Sequence, residues 1–125
     1  MYDAGNFSAG EIELAAGYLD EALAWFPRNP DYRELSGQIT EIRARQPGVL
    51  GAERAALLES AASDYRASLT VRPLWPYAWA RLLAVKDKLG QVDGEFRTAM
   101  ERAAETGPRE LRVQLQLIRS GIHYW

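Results

Sequence analysis

The chain has 125 residues, 47% of them hydrophobic and 26% charged, a balance that builds one domain around a buried core and excludes disorder and coiled coil. Its formal net charge is -2, and its thirteen arginines and two lysines are scattered, so no continuous positive surface exists to release counterions from nucleic acid. Without cysteine it can form neither a disulfide nor a thiolate metal site.

No apolar run approaches the roughly 18 residues of a spanning helix. The stretch Met1 to Gly10 lacks the basic start and apolar middle of a signal peptide, so the segment is expected to be cytoplasmic if Met1 is native.

Helical periodicity begins at Gly10, where Ile12, Ala15, Ala16, Leu19, Ala22, Leu23 and Phe26 recur at spacings of three and four. Ser8 is placed to cap this helix, three residues before Glu11, and Pro27 with Asn29-Pro30 ends it near Phe26. A second helix is predicted from a cap at Asp31 to about Arg45, with Tyr32, Leu35, Ile39 and Ile42 inward, and Gln46-Pro47-Gly48 ends it. After a loop at Val49 to Gly51, a third runs to about Val71 and carries Ala55, Leu58, Ala61, Ala62, Tyr65 and Leu69 inward.

Pro76 suits the first position of a fourth helix bearing Trp79, Leu82, Leu83 and Leu89, and Gly90 suits the left-handed residue after it. Asp93 can cap a fifth helix with Phe96, Ala99, Met100 and Ala103 inward, which Gly107-Pro108 stops. In a sixth, Leu111, Leu115, Ile118 and Ile122 lie on one stripe. No strand pattern occurs. The expectation is a single all-α domain spanning 1–125, six helices in three antiparallel pairs at 8–46, 51–90 and 92–125.

Pro73 and Pro108 stand 35 residues apart, and similar residues precede each at fixed distances. Ala61, Tyr65 and Ser68 lie twelve, eight and five before Pro73, as Phe96, Met100 and Ala103 lie before Pro108 and Tyr18, Ala22 and Trp25 before Pro30. Together with Trp79-Ala80-Arg81-Leu82 and Ala61-x3-Tyr65, this pattern resembles the tetratricopeptide repeat, a helix-turn-helix unit of about 34 residues. Leu83 stands where that family has glycine, Lys86 where it has tyrosine, and Pro30 to Pro73 spans 43 residues.

The resemblance implies a right-handed stack of three helix pairs acting as a non-catalytic protein–protein interaction scaffold. A peptide or helix of another protein would lie in its concave groove, against Arg43, Arg81, Lys86 and Lys88, with Trp75 at the rim. The phrases Trp25-Phe26-Pro27-Arg28-Asn29-Pro30-Asp31-Tyr32 and Arg72-Pro73-Leu74-Trp75-Pro76-Tyr77 also look like bacterial accessory proteins of exported-polysaccharide biosynthesis, the VpsP type. That likeness implies an envelope-facing, periplasmic protein behind an N-terminal anchor.

Trp79 at helical spacing reads as core. Trp75, between two prolines, reads either as a staple between units or as a stacking platform for a sugar, and with Tyr77 it gives the alternative of a glycan-binding module. His123 is the single histidine and has no companions for a zinc site. Ser36, Ser60, Ser63, Ser68 and Ser120 lie in helical patterns without a nucleophile turn. The pairs Glu11/Glu13, Asp87/Asp93 and Glu101/Glu105 read as solvated faces, and Gly48 with Gly51 lacks the lysine of a phosphate loop.

Neither an enzyme nor a cofactor is therefore expected. The last helix is apolar on more than one side, at Leu111, Val113, Leu115, Leu117, Ile118, Ile122, Tyr124 and Trp125. Residues beyond Trp125, a partner helix, or a second copy forming a homodimer could cover it.

Overall fold

A computed structural model of the chain describes residues 8–124, with side chains as far as Gly121. Six helices follow one another: α1 (Ala9–Trp25), α2 (Pro30–Ala44), α3 (Gly51–Val71), α4 (Pro76–Leu89), α5 (Gly94–Thr106) and α6 (Leu111–Tyr124). The fold is all-α, and among the described residues there is no strand.

The boundaries follow local chemistry. Ser8 Oγ accepts from the Glu11 N–H at 3.1 Å and Asp93 Oδ1 from the Phe96 N–H at 3.0 Å, each satisfying an otherwise orphaned donor of the first turn. Gly90 closes α4 at φ 70°, a conformation that costs a side-chain-bearing residue roughly 1–2 kcal/mol. The cap of α2 is Asn29 rather than Asp31. Its Oδ1 accepts from both Asp31 N and Tyr32 N, at 3.0 and 3.1 Å, because Pro30 occupies the first helical position and draws the start back.

The core centres on α3, α4 and α5. Ala61, Tyr65, Ser68, Leu82, Leu83 and Ala99 are closed to solvent, and Trp79 packs half-buried against both core clusters. In α3 and α5 the positions before the closing proline are buried as the repeated spacing predicts, apart from half-buried Met100. In α1 the matching Tyr18 and Trp25 are 67% and 77% exposed. Ala15, Phe26 and Ala55, also expected inward, are exposed.

The stripe on α2 faces differently from expectation, and the stripe on α6 is largely exposed. On α2 the buried residues are Glu34, Gly37, Thr40 and Ala44, while Leu35 is exposed and Tyr32, Ile39 and Ile42 are half-buried. The reason is close approach: α2 makes its most extensive contact with α3, and a Cβ on Gly37 would stand 2.5 Å from the Tyr65 ring. At position 37 only glycine fits against that ring. On α6, Val113 and Ser120 are buried while Leu111, Leu115 and Ile118 are exposed, and the Ile122 side chain lies outside the described residues. A short apolar stripe fixes a helix's amphipathicity but not which neighbour covers it.

Directions follow from side-chain bonds. Glu13 near the start of α1 holds Arg43 near the end of α2, so these helices run oppositely. Glu34 and Glu41 of α2 hold Arg81 and Lys88 of α4 in the same order, so α2 and α4 run the same way. The helix most extensively paired with α2 is thus α3, not the α1 that chain order couples to it.

Three substitutions separate these effects in urea unfolding. Gly37→Ala should lower stability by about 1–3 kcal/mol through overpacking against Tyr65. Gly17→Ala, where an added Cβ meets nothing within 4 Å, should raise it by about 0.5–1 kcal/mol through reduced backbone entropy. The Ser68 hydroxyl is buried without a hydrogen-bond partner, and removing an unsatisfied polar group is favourable, so Ser68→Ala should move the midpoint upward.

Candidate functional site

On α2, Glu34 and Glu41 are seven residues apart, as are Arg81 and Lys88 on α4. Two helical turns keep each pair on one face. Arg81 Nε donates to Glu34 Oε1 at 3.0 Å and Lys88 Nζ to Glu41 Oε1 at 3.1 Å. Glu34 is buried and also accepts from the Trp75 indole at 3.1 Å and from Arg72 at 3.5 Å. Glu41 accepts from the Tyr65 hydroxyl as well. Burial, reinforced by that carboxylate, pushes the Tyr65 hydroxyl well above the usual phenol range.

These bonds span an open groove of about 370 Å³ between α2, α4 and α6. Its walls are Gln38, Glu41, Ile42 and Arg45 of α2, then Tyr77, Ala80, Arg81, Ala84 and Lys88 of α4, then Arg112 and Gln116 of α6. Four cations thus face one carboxylate. Arg81 and Lys88 are held by α2, whereas no ion pair is found for Arg45 or Arg112 among the described residues.

Of the expected partner-facing residues, the structure brings Arg81 and Lys88 to the groove wall. Arg43 lies outside that lining, in a two-pronged bond to Glu13 of α1 at 3.1 and 3.0 Å. Trp75 is half-buried: Arg72 covers its ring at 4.3 Å, the Tyr77 ring meets it edge-on at 5.2 Å, and its N–H is taken by Glu34. It ties the α3–α4 turn to α2, while being itself the backbone cap residue of α4 rather than the residue before it.

Lys86 is only 2% exposed and donates to Asp93 at 2.8 Å and Glu95 at 2.9 Å. It belongs to the α4–α5 junction, where Glu95 also receives Arg66 of α3 at 2.8 and 2.7 Å. Arg45 and Arg112 were not picked out by the sequence pattern. Arg112 stands 35 residues after Tyr77, so the repeat spacing could have put it on the same wall.

Titration follows these contacts. Burial alone would lower the Lys86 ammonium, but the bonds to Asp93 and Glu95 outweigh it and hold it above the usual lysine range. Asp93 is held low by Lys86 and by the Phe96 N–H, and Glu95 by Arg66 and then Lys86. Asp64 runs the other way: burial raises it despite the Ser36 hydroxyl at 2.7 Å and nearby Arg33.

A second, largely apolar cavity of about 640 Å³ lies between α1 and α2, lined by Ile12, Tyr18 and Leu19 and by the α2 stripe of Tyr32, Leu35, Ile39 and Ile42. Among the described residues no group of three or more histidine, aspartate or glutamate side chains could hold a metal ion. No described helix is long and apolar enough to cross a membrane. His123 and the aromatic pair after it have side chains outside the described residues. No protein-family model matches the chain, and neither a curated protein nor a solved structure matches it.

Because Asp93 and Glu95 titrate below their ordinary range when folded, their contribution is fully present above that range and is lost as pH falls through the folded values. Lys86, held high, adds stability that disappears only as pH rises through its folded value, in strong alkali. Melting temperatures from about pH 7 to about pH 3 should fall more steeply for the wild type than for Lys86→Met. At neutral pH that variant should melt at a lower temperature than the wild type, because it loses the charge-assisted hydrogen bonds to Asp93 and Glu95.

Proposed function

We propose that the chain is a non-catalytic protein–protein interaction scaffold, a tetratricopeptide-like array of helix pairs whose groove between α2, α4 and α6 receives an extended acidic segment of another protein. The observation that carries this reading is the pair of guanidinium groups, Arg45 and Arg112, that flank the groove without a carboxylate of their own. A guanidinium offers planar, two-pronged recognition of a carboxylate. The groove is locally positive in a chain of net charge -2, which steers acidic partners toward that face.

Arg81 and Lys88 serve here as framework. Their charges are engaged by Glu34 and Glu41, and they form the wall against which a segment would lie.

Selection of displayed random peptides on the purified chain tests the reading. Enriched sequences should carry Asp or Glu, and their affinity should fall at least about tenfold, equivalent to 1.4 kcal/mol, in Arg45→Glu with Arg112→Glu, at unchanged melting temperature. Enriched peptides that bind wild type and variant equally would remove the groove from consideration.

A further inference from the structure

We infer that copies of this chain associate head to tail, with the exposed face of α6 in one copy seating α1 of the next. This inference does not depend on the groove's ligand. It comes from comparing equivalent positions within the fold.

α4 and α6 begin 35 residues apart, and two buried positions correspond at that offset. Ala78 and Val113 are both fully buried, as are Val85 and Ser120. Buried Leu82 and Lys86 correspond to half-buried Leu117 and Gly121, and two positions break the correspondence outright. Leu83 is buried in a cluster with Phe96 and Ala99 of α5, whereas its counterpart Ile118 is 58% exposed. Ala80 is buried with Ala103 and Val113, whereas Leu115 is 49% exposed. The part of α4 that α5 and α6 cover is therefore the part of α6 that nothing described covers.

α1 presents the reverse case. Its Tyr18 and Trp25 stand at the distances before Pro30 that Ala61 and Ser68 hold before Pro73, and Phe96 and Ala103 before Pro108. Those four are buried in α3 and α5, while Tyr18 and Trp25 are open to solvent. Each face is missing the kind of helix that the other supplies: among the described residues no helix of the α5 kind covers the exposed face of α6, and none of the α4 kind covers Tyr18 and Trp25 of α1.

Charge selects a second copy as the occupant. α1 holds Glu11, Glu13, Asp20 and Glu21 and no basic residue, and α6 holds Arg112 and Arg119 and no acidic one. Glu13 is engaged by Arg43; Asp20, Glu21 and Arg119 are exposed. An acidic helix bearing two exposed rings thus meets a basic helix bearing Leu111, Leu115 and Ile118. Such a contact joins different surfaces of the two copies, so it can propagate rather than close at a dimer.

Sedimentation velocity on the 125-residue chain, over about a hundredfold dilution at low and high salt, tests this. Wild type should form species larger than a dimer that weaken on dilution and in high salt. Tyr18→Asp with Trp25→Asp, and separately Leu115→Asp with Ile118→Asp, should each be monomeric alone. Mixed, they retain one intact α1 and one intact α6 and should give a 1:1 heterodimer that grows no further.

Where either variant loses its helical signal, exposed charge reversals replace it: Arg119→Glu, and Asp20→Arg with Glu21→Arg. Each should weaken association several-fold, and the mixture should recover it. A wild type monomeric at every concentration, an α1 variant that still self-associates like wild type through an α6–α6 contact, or a mixture that fails to pair would each overturn the proposal.

Discussion

Two carboxylates on one face of α2 hold the molecule's groove at its width. Glu34 and Glu41 reach across to Arg81 and Lys88 of α4, and these side chains, not close helix packing, bridge the two helices. A carboxylate taken from water is costly unless its oxygens are satisfied. Glu34 meets that condition with Arg81, the Trp75 indole and Arg72, and Glu41 with Lys88 and Tyr65. Because Arg72 and Trp75 sit in the α3–α4 turn, the same buried charge ties the turn to the groove. Tyr65 carries the linkage into the core, its ring against Gly37 and its hydroxyl on Glu41.

This arrangement divides the cations into two kinds. Arg43, Arg66, Arg72, Arg81, Lys86 and Lys88 are engaged by internal carboxylates, which orders their side chains but leaves little unspent charge. Arg45 and Arg112 are engaged by none among the described residues. A binding segment gains most from groups whose charge is not already satisfied, since displacing an internal carboxylate would return its desolvation cost. For the proposed acidic segment, selectivity would rest with the groove's ends on α2 and α6, while the middle is held by internal ion pairs.

Much of the fold was legible because the punctuation is strong. Pro73, Gly90 and Gly107-Pro108 act through the backbone and Asp93 through a side chain bonded to the first turn of its own helix, and each marks a boundary set by local chemistry. The stripe on α3 was readable for a related reason: Leu58, Ala61, Ala62, Tyr65 and Leu69 face neighbours on more than one side. Facing on α2 and α6 was not legible. Leu35 and Ile118 look inward by hydrophobicity, yet burial on α2 goes to Gly37 and Ala44, because a close helix contact rewards smallness. Asn29 displaced Asp31 as a cap for the local reason that Pro30 preset the first turn.

The site was less legible than the fold. Arginine at 43 and 81 and lysine at 86 and 88 look alike in sequence, and only the position of Glu13, Glu34, Asp93, Glu95 and Glu41 in space says which are spent. Those partners lie from 7 to 47 residues away on other helices or their caps, so spacing within one helix does not relate them. A double-mutant cycle between Glu34→Gln and Arg81→Met, read by urea unfolding, tests the clamp most directly. A coupling free energy above about 1 kcal/mol is predicted for residues in one hydrogen-bonded network; additivity within about 0.3–0.5 kcal/mol would mean that α2 does not hold α4 across the groove.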